Sequence, residues 1–168
     1  NTLDANTTGG CLTALGQGSL GANITGNSNV AVGQAASGEN TTGSNNVAVG
    51  RTALFANQTG ADNVAIGYNA LCTNTTQRNT AVGAYSLDAN TTGQQNSAIG
   101  YASMGSNTTG ACNVTMMGLG NNTTGSGNVG MGWLSLSNNT TCSDNVAVGF
   151  RAAQETSSAH GITAIGAY

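Results

Sequence analysis

The chain repeats itself every 17 residues. The clearest copy runs from Asn46 to Asp62, and glycines closing its Ala-Val-Gly triplet, or the nearest equivalent, recur at 16, 33, 50, 67, 83, 100, 118, 132, 149 and 166. Their spacings are 17, 17, 17, 16, 17, 18, 14, 17 and 17 residues. A short fixed period means that each unit cannot bury its own apolar residues and must be covered by its neighbours, as in a solenoid or another array.

Counted from Asn46 as position 1, the unit is Asn at position 1, usually Val at 2, Ala at 3, apolar at 4 and Gly at 5. Leu or Met is common at position 9, and positions 12 to 15 read Asn-Thr-Thr-Gly or a close variant. Apolar residues at 2 and 4 alternate with a small residue, which predicts a short strand with the large side chains on one face. Glycine at 5 predicts a bend with positive φ. A second extended piece over positions 7–10 would carry the apolar residue of position 9 inward. Asn-Thr-Thr-Gly predicts a turn whose glycine supplies the left-handed residue. Seventeen residues are too few for a helix pair. The fold class is therefore all-β: a β-solenoid, or parallel β-roll, of about ten 17-residue coils. Stacking would place the position 1 asparagines above one another as an amide ladder.

One repeat domain, 1–168, accounts for the whole sequence. Residues 1–11 form a partial coil, 12–149 hold regular and atypical coils, and 150–168 degenerate toward a junction. Coil 63–78 is one residue short, at its turn; coil 113–127 is two residues short and predicts a bulge or kink. Both chain ends, Asn1 and Tyr168, fall at unit position 7, a phase that would let copies stack head to tail into a filament.

Composition narrows the function. Charged residues make up 5% of the chain, with three arginines, six acids and a net charge of −3. Such a surface offers nothing to neutralise phosphates, which argues against nucleic acid as a partner. No apolar run reaches the length of a membrane span. The acids occupy scattered unit positions and the one histidine, His160, has no evident partner, so catalytic residues, cofactors and metal ligands are not expected. Cys11, Cys72, Cys112 and Cys142 lie in non-adjacent coils, which favours free thiols or interchain bonds over bridges within the chain.

Asn-Val-Ala-Val-Gly (46–50) and Asn-Ser-Ala-Ile-Gly (96–100), with the linking Ala-Leu-x-x-Asn-Thr-Thr-Gly, resemble the head repeats of YadA-type trimeric autotransporter adhesins. They also resemble repeats of bacterial and phage tail-fibre-like proteins. The resemblance covers almost the whole chain, although adhesin heads usually have shorter repeats, and no stalk, neck or anchor is expected within these 168 residues. It implies a left-handed roll, a homotrimer, and an elongated extracellular, cell-surface or virion-surface rod for attachment to host or environmental glycans or proteins. In that arrangement the small position 3 would face the neighbouring chain.

Two rows of residues are candidate sites. Asn-x-Ser/Thr acceptors for N-glycosylation recur in the turn at Asn6, Asn23, Asn40, Asn57, Asn74, Asn90, Asn107, Asn122 and Asn139, with further matches at Asn113, Asn121 and Asn138. The same asparagines would equally serve to cap the turns. Position 6 holds Tyr68, Tyr101, Trp133 and Phe150, a row that would either cover the sheet edge or stack on sugars. The function that follows is structural and adhesive: a solenoid segment of a surface adhesin or fibre. The alternative is a self-assembling filament, glycan-coated and without a receptor.

Overall fold

The computed structural model describes residues 1–167; the chain end at Tyr168 lies outside them. Each coil contributes one three-residue strand. In order these are β1 (Thr13–Leu15), β2 (Val30–Val32), β3 (Val47–Val49), β4 (Val64–Ile66), β5 (Thr80–Val82), β6 (Ser97–Ile99), β7 (Val114–Met116), β8 (Val129–Met131), β9 (Val146–Val148) and β10 (Thr163–Ile165). They form one parallel sheet in sequence order, β1 to β10. Register keeps equivalent positions in line: Val47, Ala48 and Val49 pair with Val64, Ala65 and Ile66. The shortened coil 113–127 keeps it too, since Val114, Thr115 and Met116 pair with Val129, Gly130 and Met131. The fold is a β-solenoid, and no helix occurs among the described residues.

The strands face the opposite way from the expected one. Ala31, Ala48, Ala65, Ala81 and Ala98, all at position 3, are completely buried, whereas the larger residues at positions 2 and 4 face outward. Alternation says which residues share a face but not which face is inside. Here the interior decides. The coil is thin, and opposite the strand it already holds Leu or Met at position 9, Ala or Ser at position 8 and two asparagines. Leu20, Leu54, Leu71, Leu87, Met104 and Leu136 have no exposed surface. Only alanine or another small residue fits across from them.

Positions 7–10 are not a second strand. Residues at positions 7 and 9 are left-handed, with φ of 54° at Thr52, 53° at Leu54, 58° at Tyr85 and 51° at Leu87. The chain therefore turns continuously along this side. A left-handed non-glycine residue costs about 1–2 kcal/mol. That cost is offset because the turns pair between coils as a sheet would: the Leu54 amide donates to the Ala70 carbonyl (2.9 Å) and the Ala56 amide to the Cys72 carbonyl (2.9 Å). Turn bonds within the coil, such as the Asn40 backbone amide to the Ser37 carbonyl (3.2 Å), hold the curvature.

The position 5 bend is as expected, with φ of 133° at Gly50 and 136° at Gly67. The turn glycine at position 15 is needed for another reason. It has ordinary φ, but a Cβ on Gly43 would press into the Gly60 carbonyl of the next coil and the Asn40 side chain. The left-handed residue of this turn is at position 17, for example Asp62 (φ 60°) and Gln95 (φ 59°).

Two asparagine ladders line the interior. At position 1, the Asn46 backbone amide donates to Asn29 Oδ1 (2.9 Å) and the Asn63 backbone amide to Asn46 Oδ1 (3.0 Å). At position 12, Asn40 Nδ2 donates to Asn23 Oδ1 (2.8 Å) and Asn107 Nδ2 to Asn90 Oδ1 (2.9 Å). The position 15 carbonyl accepts from both rows: Gly43 O takes Asn29 Nδ2 (2.8 Å) and Asn40 Nδ2 (3.0 Å). Irregular coils break the ladders. Asn57 Oδ1 is buried without a partner where coil 63–78 is one residue short, and Asn139 Oδ1 and Asn145 Nδ2 are orphaned beside the turn lost at 156–159.

Candidate interaction surface

Reversing the strands puts an apolar stripe on the outside of the rod. Val30, Val32, Val47 and Val49 are half-buried, while Ile66, Ile99, Val114, Met116 and Met131 are exposed on the same face. With nine steps of about 4.8 Å and three residues of about 3.3 Å, the stripe spans roughly 430 Å² in projection. An apolar area of that size, interrupted at position 2 by Thr80 and Ser97, is a candidate interaction surface. The alanines at position 3 point away from it, so the expected interchain contact through that position is overturned: any partner meets the valines and isoleucines instead.

An aromatic row borders the stripe. Tyr68, Tyr101, Trp133 and Phe150 are all exposed, Tyr101 the most at 69%. Tyr85, at position 7, joins them. Its ring stands edge-on to Tyr68 (5.1 Å between centroids, 87°) and to Tyr101 (5.9 Å, 78°). Arg51 lies 5.6 Å from the Tyr68 ring and Arg151 lies 5.3 Å from Phe150. Partial desolvation, reinforced by Tyr68, Tyr101 and Asp88, raises the Tyr85 pKa. Reading position 6 alone missed Tyr85, because Ala84 fills that position in its coil.

The glycosylation candidates are placed differently. Asn23, Asn40, Asn57, Asn74, Asn90, Asn107, Asn122 and Asn139 are completely buried, and Asn6 is half-buried. Their side-chain amides are the rungs of the ladder. A sugar on Nδ2 would sit inside the coil and displace the bond to the position 15 carbonyl, so the folded rod offers no acceptor there. Asn113 is buried as well, while Asn121 is exposed and Asn138 half-buried.

All four cysteines are free. Cys11 and Cys112 are exposed, Cys72 is half-buried and Cys142 is buried. Burial raises the Cys72 thiol pKa, and Asp88 and Glu39 add to the shift. Cys142 occupies position 15, where the next coil has lost its turn and no longer requires glycine; its Sγ lies 3.5 Å from the Ser157 carbonyl. Burial also raises Asp88, against the lowering effect of the Asp88 and Ala89 backbone amides. Among the described residues, no three His, Cys, Asp or Glu side chains converge on a metal site, and no helix is long and apolar enough to cross a membrane.

No protein-family model matches this chain, and neither a curated protein nor a solved structure matches it.

Proposed function

We propose that the chain is a structural and attachment rod of an extracellular fibre or surface adhesin, and that it acts as a homotrimer joined along the apolar sheet face. The observation that carries this reading is the outward row of apolar side chains at position 4, unbroken from Leu15 to Ile165, flanked by valines at position 2 that Thr80 and Ser97 interrupt. It is uncharged and repeats at every coil, so a second and third copy in register would meet it with the same spacing. A receptor would have to match the same periodicity to cover it. The repeat's resemblance to adhesin heads and tail fibres favours the same arrangement and the same extracellular setting.

Native mass spectrometry of the wild-type chain tests the association. Three chains are expected, and the double variant Ile66→Asp, Ile99→Asp should run as single chains with an unchanged circular dichroism spectrum. A charge on a buried interface face costs several kcal/mol. Wild-type single chains would refute lateral association; an open-ended ladder of masses would point to head-to-tail filaments instead.

A further inference from the structure

We propose that a notch in the side of the rod, at coil 113–127, binds one ring of a neutral hexopyranose. The notch comes from the two missing residues. In a regular coil the corner after the strand is a glycine followed by positions 6 and 7. In coil 113–127 Met117 alone makes that corner, with φ of 60°. The Met117 amide still donates to the Ile99 carbonyl (2.9 Å), and its carbonyl still accepts from the Leu134 amide (3.3 Å). Pairing between coils therefore continues, but one position 6 side chain is missing from the row. Gly118, aligned with the strand-closing glycines from sequence, stands instead at position 8, where the Met104 amide donates to its carbonyl (3.4 Å).

The gap is a cavity of about 340 Å³, within the range of small-molecule sites. Tyr101 from the preceding coil and Trp133 from the following one both line it, together with Met117 at the short corner and Asn121, Asn138 and Gln154. Tyr101 and Trp133 are two coils apart, about 9.6 Å. A flat ring in van der Waals contact on both sides needs about 7–8 Å, so a backbone step of about 9.6 Å leaves room for one ring. Aromatic faces take the C–H faces of a pyranose, and carboxamides supply the paired donor and acceptor that its hydroxyls require. Asn121 and Gln154 make no side-chain hydrogen bond among the described residues, and Asn138 Nδ2 has only a long one to Glu155 (3.3 Å). No acidic or basic side chain lines the cavity, so an anionic sugar would find no counter-charge.

This inference rests on the attachment reading and gives it a ligand class, yet the two fail separately, since one is read from chain number and the other from binding. Trp133 is the chain's single tryptophan and so reports directly on the notch. Its fluorescence is followed while cellobiose, lactose, N,N′-diacetylchitobiose and, as a charged control, sialyllactose are added. At least one neutral disaccharide should give a saturable change. Tyr101→Ala should weaken it about tenfold. Gly120→Leu should abolish it: a Cβ at Gly120 meets nothing within 4 Å, so the new side chain fills the notch without disturbing the coil. Absence of saturation with all three neutral sugars overturns the proposal. So does tighter binding of sialyllactose than of lactose, or binding that survives Gly120→Leu.

Discussion

Two glycines of this chain predict opposite outcomes for the same substitution. Gly43 and Gly120 both have ordinary φ, but the first faces the next coil's carbonyl and the second faces open space. Gly43→Ala should therefore lower the melting temperature sharply, whereas Gly120→Ala should leave it unchanged or slightly higher, because alanine restricts the unfolded chain. The ladder asparagines behave like Gly43. Asn90 Nδ2 donates to Asn74 Oδ1 (2.8 Å) and Gly93 O (2.9 Å), and its Oδ1 accepts from Asn107 (2.9 Å). Asn90→Ala removes three buried hydrogen bonds, although Asn74 Oδ1, Gly93 O and Asn107 Nδ2 each keep another partner, and should cost about 2–4 kcal/mol in denaturant titration. Thiol accessibility gives a quicker check: iodoacetamide should modify Cys11 and Cys112 well before Cys72 and Cys142.

At the scale of a coil, stability depends on how its turn side stacks. Asp88 sits on that side of coil 79–95, and burial raises its pKa above the ordinary 3.8. A raised carboxyl pKa means that the fold prefers the protonated form. Its stabilising contribution is complete below the unfolded pKa and is lost as pH rises through the folded one. Asp88→Asn should thus melt with wild type in acid and progressively above it as pH passes through and beyond the carboxylate range. Coil 113–127 offers a second test. Inserting two residues after Met116, to restore the regular length, should close the notch and leave the strand pairings of β7 intact.

For the whole molecule, the repeat was legible in the sequence because stacking imposes it on every coil. The strand at positions 2–4, parallel stacking in sequence order, the glycine bend at position 5 and the ladder at position 1 all follow from a period of 17, whereas the second extended piece expected at positions 7–10 did not form. The sequon reading and the turn reading of position 12 were equally open in sequence, since the same Asn-Thr-Thr suits a surface acceptor and a buried cap. Only the closed coil, which turns Asn23, Asn40 and their equivalents inward, decides between them. The same holds for the strand face. Alternation in Val-Ala-Val is symmetric with respect to inside and outside, and the preference for burying valine loses to the width of an interior already filled by the position 9 leucines and two asparagines. The left-handed turns at 7 and 9 left no mark in residue type, because their cost is met by pairing with the next coil rather than by glycine. What the sequence determined by itself was the period and therefore the solenoid; which way each side chain points, and so where the outer surface is sticky or notched, was decided by how much space one coil encloses.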